Sequence, residues 1–592
     1  MTRRTGVSAW RGRTLYGATV VACLGAALVT ATPTAQSASD PQCPAAYPVS
    51  SLARHDAVHG LTVSQGTTPD PFTGEVIGVL NDAIAPGIDM IMVDLTSTAI
   101  DDAGGIWAGM SGSPVYASDG RLIGAVAYGL AFGASPVAGV TPAADMQALL
   151  DAQPLTAAAG KTAREAINAR SVKIPGVTAR KLVAGGDLTS AQAAGGFTRL
   201  PLPLGISGLS AQRPLSQVKK FINLKDVRVF RAGAASSSAS PAVVAGGNLA
   251  ASISYGDLTE AGTGTATAVC GNEVLAFGHP MLWSGSSTMT MHGADALYIQ
   301  KDLIAPFKVS NLTAPVGEIN QDRLVGLHGL VGTTPQTATI SAHVTSTAGG
   351  SRDGTTEVSV PDQLPFVSAF HLLVDEDRVL DQYGPGSARV RWTVEGLRSD
   401  GSPFEYSRVN EFASPYDITF ETIFESYSQL TRLLNNSFDH VTITGVSYRS
   451  LIGPDYHAYH LGKVERRVGG SWVKMSRRNT TVSRGSTMHL RVTLNRADSP
   501  GQVVVPVNVD VPKGRGRGFG YLQLSGGAST YGGGGKATSF DSLLDQLANA
   551  THNNSVVAQL RINQPGPNYK ATQARSTDQV VTGQFFASIQ VR

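Results

Sequence analysis

Residues 104–116 read GGIWAGMSGSPVY, and the rest of the chain is interpreted outward from this stretch. Ser111 has Gly109 two positions before it and Gly112 directly after it. A serine flanked in this way can occupy a tight turn whose backbone N–H groups point the same way as its hydroxyl, which is the geometry of an oxyanion hole. We therefore predict that Ser111 is a nucleophile, with the amides of Gly109 and Ser111 as oxyanion donors.

The residues after Ser111 favour an all-β fold. An α/β-hydrolase places its nucleophile in a GxSxG turn that leads into a helix, but Ser113 stands where the second glycine would be. The apolar residues at 115–116 and 122–126, separated by Asp119-Gly120, predict a β-hairpin instead. Turns of this kind also occur as plain structural loops, so the GxSG pattern alone does not identify an enzyme.

Longer segments of the chain resemble the SpoIVB family of serine peptidases, which is usually grouped with chymotrypsin-like enzymes. The run 104–116 and its continuation to residue 142 resemble the serine segment of that family, residues 262–280 with FGHP at 277–280 resemble its histidine segment, and residues 317–329 resemble the segment beyond. The resemblance implies a two-subdomain chymotrypsin-like β-barrel peptidase. In the family the histidine segment comes first, whereas here Ser111 precedes His279, so the implied fold is circularly permuted.

The predicted base is a histidine, since a serine hydroxyl becomes a good nucleophile when a neighbouring base removes its proton. His279 follows a β-rich run and lies between Gly278 and Pro280, a turn that could display an imidazole at a strand end. The resemblance implies that His279 is this base, and a structural histidine is the alternative. The other candidates are His55, His59, His292 and His328.

The triad acid is predicted with alternatives. Ungapped counting from the shared Gly-Gly places the acid of the family at Thr96, with Asp94 and Asp101 nearby. In chymotrypsin-like folds the histidine and its acid belong to the same barrel, and Asp322 lies 43 residues after His279 in the same β-rich half. Asp322 is favoured narrowly over Asp101, although either can be a solvated turn acid.

The sequence predicts neither a metal nor a cofactor. It contains no set of Cys, His or carboxylate residues at metal-ligand spacing. It also lacks a glycine loop of the phosphate-binding type.

The start of the chain predicts export. Residues 1–38 combine four arginines, an apolar run from Ala18 to about Thr30 and a tail of small residues, which is the layout of a secretory signal peptide. This apolar run is too short for a membrane span, and no later stretch reaches the ~18 consecutive apolar residues that a span needs. The chain has 47 basic and 44 acidic residues, and the signal holds four of the basic and none of the acidic ones. The mature chain is therefore close to neutral, which gives no indication of a nucleic-acid or anionic-membrane partner. The resemblance to serine peptidases implies a protein or peptide substrate.

Cysteine usage agrees with export. The chain has three cysteines, and Cys23 would leave with the signal. Cys43 and Cys270 then remain as the possible pair in an oxidising compartment, and we predict a disulfide between them. Two unpaired buried thiols are the alternative.

The predicted domains begin after the signal peptide of residues 1–38. Residues 39–170 form a serine-bearing β-subdomain, and residues 171–337 form a bridging segment and a histidine-bearing β-subdomain. Strand-like alternation between Gly, Asp, Ser and Pro turns predicts two β-sandwich modules, residues 338–450 and 451–592. In the second, Ser539 is expected to cap a short helix.

Two functions are compatible with these observations. The first is a secreted serine endopeptidase that forms an acyl-enzyme at Ser111 with His279 as general base. The second is a catalytically inactive, peptidase-like extracellular scaffold for binding or adhesion.

Overall fold

The computed structural model describes residues 43–152, 171–210, 212–214, 227–231, 233–236, 238–513, 518–529, 536–563 and 568–592. All of them belong to one compact unit, residues 41–592. The predicted signal peptide, residues 1–38, lies outside the described residues. The mainly β class is confirmed, with 51% strand against 16% helix.

The serine loop belongs to the first sheet, in which six strands close into an antiparallel barrel. Its strands are β1 (Ala57–Thr62), β2 (Asp70–Ala85), β3 (Ile88–Thr96), β4 (Pro114–Ala117), β5 (Leu122–Leu130) and β6 (Val137–Pro142). They pair in the order β4-β1-β2-β3-β6-β5, and β4 pairs with β5 to close the ring, which we call the first barrel. A short strand, β7 (Phe197–Arg199), pairs with β5 outside the ring.

The hairpin predicted after Ser111 is confirmed as β4 and β5. Its turn is held by Asp119, whose carboxylate accepts a hydrogen bond from the amide of Arg121 at 3.0 Å, and Gly120 adopts a φ of 83°. The interior of the first barrel is filled by apolar side chains from the strands and from the serine loop, including Val93, Trp107 and Met110. The serine loop is therefore anchored through its own side chains.

In the part of the chain that the structure describes, four short helices accompany this barrel. They are α1 (Thr98–Ala103), α2 (Ala143–Gln147), α3 (Gly176–Gly185) and α4 (Ser190–Gly195). Helix α1 begins where Ser97 accepts a hydrogen bond from the Ile100 amide and ends at Gly104, which has a left-handed conformation. The serine loop thus starts directly at a helix end.

The histidine segment belongs to the second and larger sheet. Its N-terminal strands are β8 (Leu202–Ile206), β9 (Val227–Arg231), β10 (Asn248–Gly256), β11 (Glu260–Cys270), β12 (Glu273–Ala276), β13 (Gly285–Gln300), β14 (Phe307–Arg323) and β15 (Gly326–Val331). Strands β10-β13-β14-β15-β12-β11 pair in this order, and β10 pairs with β11, so this ring of antiparallel pairings also closes. We call it the second barrel.

The same sheet continues beyond the ring into a layer covered by two long helices. The elements are β16 (Ala338–Ser346), β17 (Ser351–Val358), α5 (Leu364–Leu380), β18 (Gly386–Leu397), β19 (Pro403–Ser414), α6 (Ile418–Leu434) and β20 (Thr442–Gly453). Strand β17 pairs with β10, and β16 pairs in parallel with β20. The β-sandwich predicted for residues 338–450 is therefore wrong, because the second layer is formed by α5 and α6.

Residues beyond 453 form two five-stranded sheets that share one apolar core. The first contains β21 (Ala458–Val468), β22 (Ser471–Lys474), β24 (Thr487–Arg496), β25 (Gln502–Asp510) and β29 (Val580–Thr582). The second contains β23 (Thr480–Val482), β26 (Gly518–Gly526), β27 (Ser555–Asn563), β28 (Tyr569–Ser576) and β30 (Gln584–Val591). The helix predicted after Ser539 is confirmed as α7 (Phe540–Ala548). It packs against the apolar core that the larger sheet, β8–β20, forms with α5 and α6.

The disulfide between Cys43 and Cys270 is present, with the two Cα atoms 4.8 Å apart and 227 residues between them. It joins the first described residue to the end of β11. A bridge that closes so long a loop restricts the unfolded chain strongly, which stabilises the folded state. Among the described residues, no helix is both long and apolar enough to cross a membrane.

Candidate serine–histidine site

The serine loop has a backbone that requires glycine on both sides of Ser111. Gly109 and Gly112 have φ angles of 107° and 97°. A Cβ atom added at Gly112 would lie 1.9 Å from the carbonyl oxygen of Thr265 and 2.5 Å from the amide nitrogen of Phe277. Both the conformation and the close approach exclude a larger residue at this position. The loop is thus pressed directly against the second barrel.

Strand β11 of the second barrel holds this loop in place. The Thr265 amide donates to the carbonyl oxygen of Ser111 at 2.8 Å, and the Thr265 hydroxyl donates to that of Gly109 at 3.1 Å. The hydroxyl of Thr267 donates to the carbonyl oxygen of Gly112 at 2.8 Å. Hydrogen bonds therefore fix the position of the serine relative to the second barrel.

His279 follows the end of β12 in an equally constrained turn. Phe277 and Gly278 both have a φ of 67°, and the Thr141 hydroxyl of the first barrel donates to the Gly278 carbonyl oxygen at 2.6 Å. The left-handed conformation of Phe277 is unusual for a bulky residue. It turns the chain so that the imidazole reaches the serine loop.

Ser111 and His279 are 168 residues apart in sequence and form a direct hydrogen bond. The distance from His279 Nε2 to Ser111 Oγ is 2.8 Å, and that from His279 Nδ1 to the carbonyl oxygen of Pro280 is 2.9 Å. Because a carbonyl oxygen only accepts, Nδ1 carries the ring proton and Nε2 accepts from the Ser111 hydroxyl. This is the tautomer that a general base needs.

The imidazole of His279 is neutral at physiological pH. Its complete burial, reinforced by the positive charge of Arg199, lowers the pKa of His279 to about 3. A neutral ring can accept the hydroxyl proton of Ser111, but the same environment disfavours the imidazolium that results.

Asp322 does not occupy the position predicted for the triad acid. Its carboxylate accepts hydrogen bonds from the amides of Met281 at 2.8 Å, Leu282 at 2.6 Å and Ser284 at 3.4 Å. Burial raises the pKa of Asp322, and these amide bonds oppose that rise. The prediction of Asp322 as the partner of His279 is therefore wrong, because its oxygens bind the backbone that follows the histidine.

Asp101 is also misassigned as the acid. It lies in the first turn of α1 with its side chain exposed, whereas Ser111 and His279 are fully buried. The atom behind the imidazole is the Pro280 carbonyl oxygen, so the two residues form a dyad.

Arg199 is a site residue that the sequence analysis missed. Its guanidinium donates to the Pro280 carbonyl oxygen at 3.1 Å, so that one oxygen accepts from both Arg199 and His279. Strand β7 brings this residue to the site from a position 80 residues earlier in the chain. No local pattern around Arg199 in the sequence indicates this contact.

The two amides that the sequence predicts as oxyanion donors belong to Gly109 and Ser111. The amides of Gly109 and Ser111 donate to no acceptor among the described residues. The Cα of Gly109 is covered by Lys308, whose Cβ would lie 2.8 Å from a Cβ added at Gly109. Lys308 is completely buried, and its ammonium donates to Asn248 at 2.7 Å. Burial lowers the pKa of Lys308 to about 7.

The connection between β13 and β14 lies along the serine loop. The Ala108 amide donates to the carbonyl oxygen of Pro306 at 2.8 Å, and the Lys308 amide donates to that of Ala108 at 2.9 Å. Leu303 and Ile304 in this connection are 93% and 67% exposed, in contrast to the fully buried Ser111 and His279. A cavity of about 310 Å³ adjoins it, lined in part by Ala108, Arg199 and Pro306.

The other candidate histidines lie elsewhere. His55 contacts Glu75, His59 stacks on Tyr116, and His328 bonds to Asn320 and Glu273. His292 is buried and bonds to Ser252 and to the carbonyl oxygen of Thr313. Of the five histidines considered, His279 alone reaches Ser111.

Comparison of the chain with protein-family models, with curated proteins and with solved structures finds no match. The function is therefore argued from the geometry of the site.

Proposed function

We propose that the chain is a serine endopeptidase of the SpoIVB type that works with a Ser111–His279 dyad. The observation that carries this proposal is the 2.8 Å hydrogen bond from Ser111 Oγ to His279 Nε2, made in a glycine-flanked turn with two unused amides. The two closed six-stranded rings, one carrying the serine and one the histidine, support a permuted chymotrypsin-like arrangement.

The proposed reaction is acyl transfer. The Ser111 hydroxyl gives its proton to His279 Nε2 as Oγ attacks the carbonyl carbon of the scissile peptide bond. The amides of Gly109 and Ser111 stabilise the oxyanion that forms. The imidazolium then protonates the leaving amine. In the second half of the reaction His279 takes a proton from water, which attacks the acyl-enzyme, and returns that proton to Ser111 Oγ as the acid product leaves.

In this dyad the Pro280 carbonyl oxygen takes the place of a carboxylate. It fixes the Nδ1–H tautomer and the ring orientation, as a triad acid does. It supplies no full negative charge for the imidazolium, and Arg199 adds a positive one. We therefore expect slow turnover, and the fully buried Ser111 has to become accessible before a peptide can bind.

The proposal includes export through the predicted signal peptide of residues 1–38. The Cys43–Cys270 disulfide supports it, because such bridges persist in oxidising compartments.

The second candidate function is an inactive extracellular scaffold. The burial of both dyad residues and the charge of Arg199 favour it. Under this alternative the serine loop serves only to join the two barrels.

Cleavage of a mixed peptide library, followed by mass spectrometry, tests the endopeptidase proposal. We expect products from the secreted wild-type chain, and Ser111→Ala should reduce their rate by about 10³-fold or more. Ser252→Ala is the matched control, since it removes another buried serine bonded to a histidine. Equal cleavage by wild type and Ser111→Ala would exclude the mechanism, and the absence of any products from the wild type would favour the scaffold.

A further inference from the structure

Three side chains that could ligate a metal ion meet on the far side of the second sheet. Asp257 lies in the turn between β10 and β11, and His371 and Asp375 lie one helical turn apart on α5. One ligand atom from each lies within 4.8 Å of the other two. Sequence spacing did not predict this cluster, because the fold brings its members together from separate elements.

Two of these atoms are buried without a hydrogen bond, and an ion-pair contact of 3.3 Å joins them. His371 Nε2 and Asp375 Oδ2 make no hydrogen bond to any described residue, and both side chains are completely buried. Such groups carry a desolvation cost that folded proteins rarely leave uncompensated. The two atoms are 3.3 Å apart, and two ligands of a tetrahedral zinc ion are separated by about 3.4 Å.

The other polar atoms of the three side chains form hydrogen bonds with surrounding residues. Arg352 donates to Oδ1 of Asp375 at 2.5 Å and to Oδ1 of Asp257 at 2.6 Å, which leaves the two Oδ2 atoms to face inward. Asp257 Oδ2 also accepts from the Thr355 amide at 2.8 Å. Thr356 Oγ1 lies 2.9 Å from His371 Nδ1. This outer layer resembles the partners that orient ligands in metal sites.

Gly354 shows where the two carboxylates converge. A Cβ atom added there would lie 2.1 Å from Asp375 Oδ2 and 2.7 Å from Asp257 Oδ2. Strand β17 thus leaves room for these oxygens only because residue 354 has no side chain. Asp257 keeps 27% of its side chain exposed, so the cluster can be reached from solvent.

The charges suit a divalent cation. Two carboxylates face the single positive charge of Arg352, which leaves one net negative charge. Metal binding at His371 Nε2 requires the ring proton to be on Nδ1, where Thr356 Oγ1 at 2.9 Å can accept it.

We propose that Asp257, His371 and Asp375 bind one divalent transition-metal ion of the zinc type. One imidazole nitrogen with carboxylate oxygens is a ligand set that Zn²⁺ accepts, whereas Ca²⁺ takes six to eight oxygens. The ion joins helix α5 to the β10–β11 hairpin. Thr265, which holds the serine loop, lies five residues along β11 from Glu260, or about 17 Å, and Asp257 lies in the turn before Glu260. The site is therefore structural and independent of the proposed peptidase function.

The test is zinc binding by the secreted full-length chain after treatment with a chelator. We expect dialysis against ZnCl₂ and elemental analysis to find one Zn²⁺ per chain in the wild type. His371→Gln should weaken binding by more than about 100-fold, since even partners outside the ligand set commonly contribute 10- to 100-fold. His343→Gln, which alters an exposed histidine paired with Asp353 at 2.7 Å, is the matched control and should bind as the wild type does.

A second variant decides the question if His371→Gln does not fold. Asp257 lies in a turn, and Asp257→Asn keeps one oxygen as an acceptor for Arg352, so this variant should fold. It should bind zinc more weakly and lose the rise in melting temperature that zinc causes in the wild type. Co²⁺ should give the visible spectrum of a four-coordinate site in the wild type and in the His343→Gln control, and should not give it in Asp257→Asn. A wild type that binds no Zn²⁺, or variants that bind it as tightly as the His343→Gln control, would overturn the proposal.

Discussion

Two buried serine–histidine pairs among the described residues have nearly identical hydrogen bonds. In one, Ser111 Oγ is 2.8 Å from His279 Nε2, and Nδ1 faces the Pro280 carbonyl oxygen at 2.9 Å. In the other, Ser252 Oγ is 2.9 Å from His292 Nε2, and Nδ1 faces the Thr313 carbonyl oxygen at 2.9 Å. Burial lowers the pKa of His279 to about 3 and that of His292 to about 4.

The two pairs differ in the backbone around the serine. Ser252 lies inside β10, where it faces Ala261 on one side and Thr290 on the other. Ser111 lies in a turn between two left-handed glycines, and no described residue accepts a hydrogen bond from the amides of Gly109 and Ser111. A serine–histidine hydrogen bond is therefore not evidence of catalysis by itself. The loop and its free donors are what distinguish the first pair.

The largest expected effect comes from replacing the histidine of each pair in turn. His279→Gln should reduce any Ser111-dependent cleavage by about 10³-fold or more, because it removes the general base. His292→Gln, the matched change in the second pair, should leave turnover per folded molecule unchanged. Rates measured on both purified variants, normalised to folded protein by circular dichroism, check this. Similar losses in both would remove the distinction between the pairs.

A smaller effect, on stability, is expected from replacing the two aspartates that were predicted as triad acids. Asp322→Asn leaves buried amides of Met281 and Leu282 poorly paired, so we expect a loss of about 1–3 kcal/mol in the free energy of unfolding. Asp101→Asn is the exposed control and should change stability by less than about 0.5 kcal/mol. Urea titration measures both, and equal stabilities would contradict the role assigned to Asp322.

The smallest expected effect of a substitution on cleavage is a change in the pH dependence of its rate. Since Arg199 contributes to the low pKa of His279, Arg199→Gln should shift the acid limb of the cleavage rate to higher pH. Arg389→Gln, which alters an exposed arginine paired with Glu411, is the control and should leave the limb in place. An acid limb that stays unchanged in Arg199→Gln would show that this charge does not act on the base.

Stability should depend on pH through both pairs. His279 and His292 have folded-state pKa values below the ordinary 6.5, so the unfolded chain binds protons more readily. The stabilisation that comes from burying them neutral is complete above about pH 6.5 and is lost as the pH falls toward 4 and 3. His292→Gln should make the urea midpoint less sensitive to pH over that window, and an unchanged slope would contradict this assignment.

Local sequence patterns predicted the parts of the site that depend on neighbouring residues. The glycines around Ser111, the hairpin after it and the cap at Ser539 are all short-range features. The pairing of Cys43 with Cys270 followed from the compartment expected for an exported chain. The approach of His279 to Ser111 came from a resemblance between segments.

The remaining features depend on strand register and tertiary packing. Asp322 faces the turn after His279 because β14 pairs it with Gly285 and Leu327. Arg199 reaches Pro280 from another sheet. Helix α5 is buried from Leu364 to Glu376, so its sequence lacks the polar stripe that marks an amphipathic helix. None of these contacts has a signal within a short window of sequence.

The most direct test is to locate the adduct that a fluorophosphonate forms on the secreted wild-type chain. This reagent reacts with a serine that has an activated hydroxyl and oxyanion donors. We predict a single modified peptide that carries the label on Ser111, with Ser252 unmodified, and no label in Ser111→Ala. Label on Ser252, or a wild-type chain that remains unlabelled after long exposure, would contradict the claim that the serine loop forms a catalytic site.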